Sequence, residues 1–147
     1  MTLTWEEIKA KPLGAILHDE FRDGLRFIIM RGPASLTAYI GVPDGHPLAG
    51  HSYEDLPVEA HGSLTFGDEG GGKWPTGWFW YGWAYNHAGD YTFFSDELPL
   101  LERGSRHQDE HKWLVEEVIK DGWRTQYDMQ RLVRLAEAIR NKFLVQG

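Results

Sequence analysis

A chain of 147 residues, 41% hydrophobic and 14% aromatic, is long enough to fold as one domain around its own core, and no apolar run nears the roughly 20 residues that cross a bilayer. A formal net charge of -7 repels long polyanions, so general DNA or RNA binding is disfavoured unless the cations gather on one face. With Cys 0, a disulfide scaffold, a thiolate metal site and a thiol nucleophile are all excluded.

The N-terminal stretch "MTLTWEEIKAKPLG" lacks the basic-then-apolar order of a secretory leader, and a cytoplasmic location is expected. Within it, Thr4 is placed as an N-cap, Glu6 and Glu7 fall in a first turn, Trp5 and Ile8 share a face, and Pro12 ends a short helix. "GLRFIIMR" (24–31) and "SLTAYIGVP" (35–43) are rich in β-branched and aromatic residues around a "GPA" turn, which predicts a β-hairpin. Residues 43–57, "PDGHPLAGHSYEDLP", have no period and form an expected irregular excursion of a kind often tied to function.

"VEAHGSLTF" (58–66) alternates, with His61, Ser63 and Thr65 on one side. It is predicted to pair antiparallel with "TGWFWYGWAY" through a glycine-rich tip, "GDEGGGK". On that return strand Trp78 and Trp80 share a face with Gly82 and Ala84, while Phe79, Tyr81, Trp83 and Tyr85 take the other. Both faces are apolar, as in an interior strand. Further on, "HQDEHKWLVEEVIKDG" reads as helix stopped at Gly122, although "WLVEEVI" also suits a strand. "TQYDMQRLVRLAEAIRNKF" is a second helix capped at Thr125 or Asp128, with Met129, Leu132, Val133, Ala136, Ile139 and Phe143 as its apolar stripe. The expected class is α+β: a mostly antiparallel sheet of four or more strands, a C-terminal amphipathic helix on one face and a short N-terminal helix, all in one domain, 1–147.

The chemistry-bearing residues gather in few places. If strands 58–66 and 76–86 pair through their tip, His61 and His87 fall at the same far end, where with Asp90, and His46 or His51, they offer nitrogen and oxygen ligands to a divalent ion. No HxH or HExxH spacing is present, and the competing reading has the histidines bonding strand-end backbone while Asp90 caps the turn after "HAG". Ser63 lacks the GxSxG surroundings of an activated serine, and "GDEGGGK" lacks the GKS or GKT of a phosphate loop. Seven tryptophans exceed ordinary core demand, and their faces are surfaces on which nucleobases stack. Arg124, Arg131, Arg134 and Arg140 lie off the apolar stripe, where they either form a solvated face or clamp phosphate.

Taken together, "YIGVPDGHPLAG", "HGSLTF", "WFWYGWAYNHAGDY" and "GWRTQYDMQRLVRLAEAI" resemble a widespread group of small proteins encoded by bacteriophages and prophages, to which no function is assigned. The group's pattern runs GVPxGHP, VHGGLTF, a tryptophan-rich strand ending in HAGD, and a YRT-type segment leading into a final helix. His46, His61, His87 and Asp90 stand at matching places. Ser63 replaces a glycine of the pattern, while Ala84 and Tyr85 replace an acid and a cysteine, which weakens any inherited acid-base or metal chemistry. The resemblance implies phage origin and action in the host cytoplasm.

Small phage proteins include sponges that hold cyclic nucleotide immune signals without cleaving them. That role is the expectation here, with His46, His61, Trp80, Trp83, His87, Asp90, Arg124, Arg131 and Arg134 as ligand-binding residues. Catalytic residues, bound metal and cofactor are not assigned. The expected partner is a small nucleotide, with no long nucleic acid and no membrane, and the surplus of aromatics predicts a homo-oligomer. The alternatives are a metal-dependent hydrolase built on His61, His87 and Asp90, and an inhibitor of a host protein.

Overall fold

The computed structural model describes residues 2–97 and 111–146, with side chains through Leu135. A five-stranded antiparallel sheet in the order β1-β2-β3-β5-β4 carries helix α2 on one face. The strands are β1 (Ile16–Arg22), β2 (Leu25–Arg31), β3 (Leu36–Pro43), β4 (Phe66–Gly71) and β5 (Trp74–Ala84). They are flanked by α1 (Trp5–Ala10) and α2 (Val115–Gln146). The expected α+β class, the short first helix and the β2–β3 hairpin are all found.

Helix α1 starts where its cap directs. Thr4 accepts from the Glu7 amide at 3.2 Å while Glu7 reaches back to the Thr4 amide at 3.1 Å, a reciprocal capping box. Trp5 and Ile8 are buried, and the Trp5 indole donates to Asp96 at 2.7 Å. Asp96 also accepts from Lys9 at 3.2 Å and from the Tyr91 hydroxyl. One carboxylate thus fastens α1 to the 91–97 segment.

Three sequence expectations are corrected. Strand β1 was not foreseen, because "ILHDEFR" is an edge strand with a mostly exposed pattern. Asp23 (φ 52) and Gly24 (φ 80) nonetheless supply the two positive φ angles of a tight hairpin turn into β2. The second correction moves a strand. On the edge away from β3, β5 pairs with "FGDEGG" in the register Phe66↔Gly82 to Gly71↔Trp74, so of the expected 58–66 only the end reaches the ladder, through Phe66 and the Thr65 amide, which donates to the Gly82 carbonyl at 2.8 Å. Gly70 is needed there, since a Cβ would lie 2.1 Å from the Pro75 carbonyl oxygen at the bulge. Residues 58–60 instead lie against α2, with the Thr125 hydroxyl donating to the Glu59 carbonyl at 2.7 Å, and Val58, Ala60 and Leu64 are buried in the main core. Their alternation reflects burial against a helix rather than pairing in a ladder.

The third correction joins two helices into one. Gly122 does not stop α2, and neither Thr125 nor Asp128 caps it, because the helix runs unbroken through all three. Gly122 sits against the Phe27 ring of β2, so closely that a Cβ would be 2.3 Å from Phe27 Cζ. Met129 is fully buried, with Leu132 packed against the core. The expected stripe positions Ala136, Ile139 and Phe143, and Arg140, lie outside the described side chains.

β5 has an apolar residue on each face, as its sequence predicted, and the faces differ in their cover. Toward α2, Tyr81, Trp83 and Tyr85 join Phe27, Ile29, Ile40 and Val118 in the main core. On the opposite face Ile28, Met30, Tyr39 and Trp80 form a smaller cluster. Trp80 is fully buried there because its ring lies over Gly41, its cross-strand partner, where a Cβ would meet the indole at 2.9 Å. Tyr39 lies over Gly82 in the same way, with a Cβ contact at 2.4 Å. Two glycines let two aromatic rings lie flat, so the rings bury backbone without a second layer. Among the described residues no helix is long and apolar enough to cross a membrane.

Candidate functional site

His61, His87 and Asp90 meet at one end of the sheet. His61 Nε2 is 2.8 Å from Asp90 Oδ2, and His87 Nδ1 is 3.3 Å from the same oxygen. The backbone N–H of His87 donates to it as well, at 3.0 Å, and the Asp90 N–H donates to the His87 carbonyl at 2.9 Å. "HAGD" is therefore a closed turn, with Gly89 at φ 92, that holds its carboxylate against its own first residue.

The His61 ring is held from two sides. It stacks on Tyr85 with centroids 4.4 Å apart and planes at 20°, and it meets the Trp113 ring edge-on at 4.8 Å. Tyr85 is fixed in turn, since its hydroxyl accepts from the Trp83 indole at 3.1 Å and donates to Asp121 at 2.6 Å. Burial, and after it the hydrogen bond to Asp121, push the Tyr85 hydroxyl far above the ordinary tyrosine range, so it remains a donor. Gly62, at φ +84, lets the chain turn beside His87, whose Nε2 would be 3.4 Å from an added Cβ. His87 and Gly62 are exposed while His61 and Asp90 are partly covered, so the cluster opens to solvent on one side.

Arg124 flanks this cluster. Its guanidinium donates to Asp121 at 3.1 Å and reaches the Ala60 carbonyl at 3.5 Å. Further along α2, a groove of about 570 Å³ lies between Pro57 and Glu59 on one side and Tyr127, Asp128, Arg131 and Arg134 on the other. Arg134 stands over the Tyr127 ring at 5.9 Å, and Tyr127 is 57% exposed. Positions 124, 127, 131 and 134 share one stripe by helical spacing. Segment 57–61 links groove to cluster: Glu59 lines the groove, and the chain turns tightly at His61, two residues on, where Ala60 and Gly62 bridge.

Of the nine expected ligand residues, the structure joins His61, His87 and Asp90, sets Arg124 beside them, and places Arg131 and Arg134 in the neighbouring groove. The other three are elsewhere. Trp80 and Trp83 are 0% and 1% exposed on opposite faces of the sheet, so neither offers a ring to a ligand. His46 belongs to the 43–51 turn, where its Nδ1 accepts from the Leu48 amide at 3.1 Å and burial lowers its pKa. Tyr81 fastens that turn by donating to the Leu48 carbonyl at 2.5 Å. Sequence reasoning did not assign Trp113, Asp121, Tyr127 or Glu59 to the site. Tyr127 alone carried a signal, as an aromatic at i-4 and i-7 from two of the selected arginines.

No family model, no curated protein and no solved structure matches this chain.

Proposed function

We propose that the chain binds a small nucleotide in the Tyr127–Arg134 groove and releases it unaltered, acting as a phage-encoded sponge for a cyclic nucleotide immune signal in the host cytoplasm. The observation that carries this reading is the groove's mixed lining. Arg131 and Arg134 present planar donors for phosphate, the exposed Tyr127 ring offers a stacking face, and Glu59 and Asp128 can accept from ribose hydroxyls. The acidic chain as a whole disfavours long nucleic acids, which suits a ligand small enough to sit within one groove.

Thermal-shift titration with cyclic di- and trinucleotides tests it. Ligand at 100 times its dissociation constant raises stability by about 2.7 kcal/mol. The Arg131→Ala, Arg134→Ala double variant is expected to weaken binding by at least about 100-fold, the smaller end of what two charge-assisted contacts contribute. Ligand recovered intact after heat denaturation supports a sponge; a cleaved product replaces it with a hydrolase, and no shift with any nucleotide removes the reading.

The same proposal has copies associate through the face opposite α2, where Phe21 is 66% exposed, Leu13 57% and Ile16 44%, around half-buried Trp74 and Trp78. Light scattering is expected to give a multiple of 16.9 kDa that Phe21→Arg reduces. A 16.9 kDa species at every concentration would rule this out.

A further inference from the structure

We propose that His61 Nε2, His87 Nδ1 and the Asp90 carboxylate bind a divalent transition-metal ion of the zinc, cobalt or nickel type. The inference does not depend on the groove's ligand. Two donors bound to zinc at about 2.1 Å in tetrahedral geometry lie about 3.4 Å apart. Here the two histidine nitrogens lie 2.8 and 3.3 Å from Asp90 Oδ2, and all three ligand atoms fall within 4.8 Å of one another. Movements of under about one ångström would turn this cluster into a coordination triangle.

The alternative is a cluster held together by hydrogen bonds alone, and the way the ligands are supported argues against it. A histidine bonded to an aspartate for stability needs only one partner. Here two imidazoles from different segments are directed at one carboxylate oxygen, and the ring of His61 is held by Tyr85 and Trp113. Metal sites require such preset ligand orientation. Asp90 is placed by the His87 amide, and Gly62 sets bare backbone beside the His87 ring. Two imidazoles and one carboxylate form a nitrogen and oxygen set suited to zinc and its neighbours rather than to calcium or magnesium. To ligate, His61 carries its proton on Nδ1 and His87 on Nε2. Three protein ligands with solvent on the His87 side leave room for an anionic oxygen, of phosphate or carboxylate, as a further ligand.

Metal-free protein is titrated with Zn²⁺ by calorimetry and with Co²⁺ by visible absorption. The expected result is one ion per chain and a Co²⁺ ligand-field band. His87→Gln, at the exposed position, and Asp90→Asn, which preserves the turn's shape, should each weaken Zn²⁺ binding by at least about tenfold. His61→Ala should do the same if it folds, which circular dichroism reports. His18, paired with Glu20 on the edge strand β1, provides the control, because His18→Gln is expected to leave the affinity unchanged. Failure of Zn²⁺, Co²⁺ and Ni²⁺ to bind, or wild-type affinity in both His87→Gln and Asp90→Asn, overturns the proposal. Loss of metal without loss of nucleotide binding would leave the groove reading intact, and the reverse result would leave the metal site standing alone.

Discussion

Replacing Gly122 by alanine is expected to destabilise the domain by about 2 kcal/mol, although helix propensity alone predicts a gain of about 1 kcal/mol at a mid-helix glycine. The two effects oppose each other, and packing decides. The added Cβ would lie 2.3 Å from Phe27 Cζ and 2.6 Å from Cε1 and Cε2, inside any tolerable contact. Phe27 cannot step aside, because it is fully buried and runs parallel to the Trp83 ring at 6.2 Å and 11°. Overpacking of this kind typically costs about 1 to 3 kcal/mol, and for a domain of this size the loss should lower Tm by about 4 to 8 °C. Shortening the opposing side chain relieves the clash, so Gly122→Ala with Phe27→Leu should be less destabilised than the sum of the single changes by about 1 kcal/mol. A higher Tm for Gly122→Ala would show that α2 does not approach β2 this closely.

Asp96→Ala is expected to be larger still, about 3 kcal/mol, because it removes the shared acceptor of the Trp5 indole and the Tyr91 hydroxyl, on residues 6% and 3% exposed. The loss should appear chiefly as release of α1. Acid has a related effect through the native side chain. Burial of Asp96 tends to raise its pKa, but hydrogen bonds from Tyr91, Trp5 and Lys9 outweigh it and hold the carboxyl below the ordinary value. A carboxyl depressed by folding stabilises above its unfolded pKa and ceases to do so as pH falls through the folded value. Asp19, held down first by its hydrogen bond from Arg26, acts in the same direction. So does Glu20, where hydrogen bonds from His18 and Trp123 prevail over burial. The wild-type Tm should therefore fall on acidification below about pH 4, and more steeply than that of Asp96→Ala. Parallel profiles for the two proteins would show that Asp96 does not carry the effect.

What was legible in the sequence followed from local rules. Thr4 and Glu7 announced the cap of α1, and β5 showed apolar residues on both faces because the sheet buries both. Where several interactions compete, local rules failed. Asp23-Gly24 was a readable turn signal, yet the polar composition of β1 concealed the strand before it. Gly122 looked like a stop because propensity sees a missing side chain but not the Phe27 ring that needs the space.

The site was legible in part for the same reason. His61, His87 and Asp90 were grouped by a pairing of 58–66 with β5 that holds only at its last two residues, yet they meet, because segment 57–61 follows α2 to the end of the same strand. The tryptophans misled in a different way. Ring surface is equally visible in a sequence whether it faces a ligand or a glycine, and Trp80 faces Gly41.

That last contact has a consequence for how the sequence can drift. Gly41 with Trp80, and Gly82 with Tyr39, are units of one flat ring and one bare backbone position. Neither member tolerates change alone: a side chain at the glycine strikes the ring, and a smaller ring uncovers the strand. Substitution at 41 should be inherited together with a reduction at 80, and likewise 82 with 39. The aromatic face would then evolve by paired exchange, while the solvent-facing positions of β1 and β4 at the two edges of the sheet vary singly.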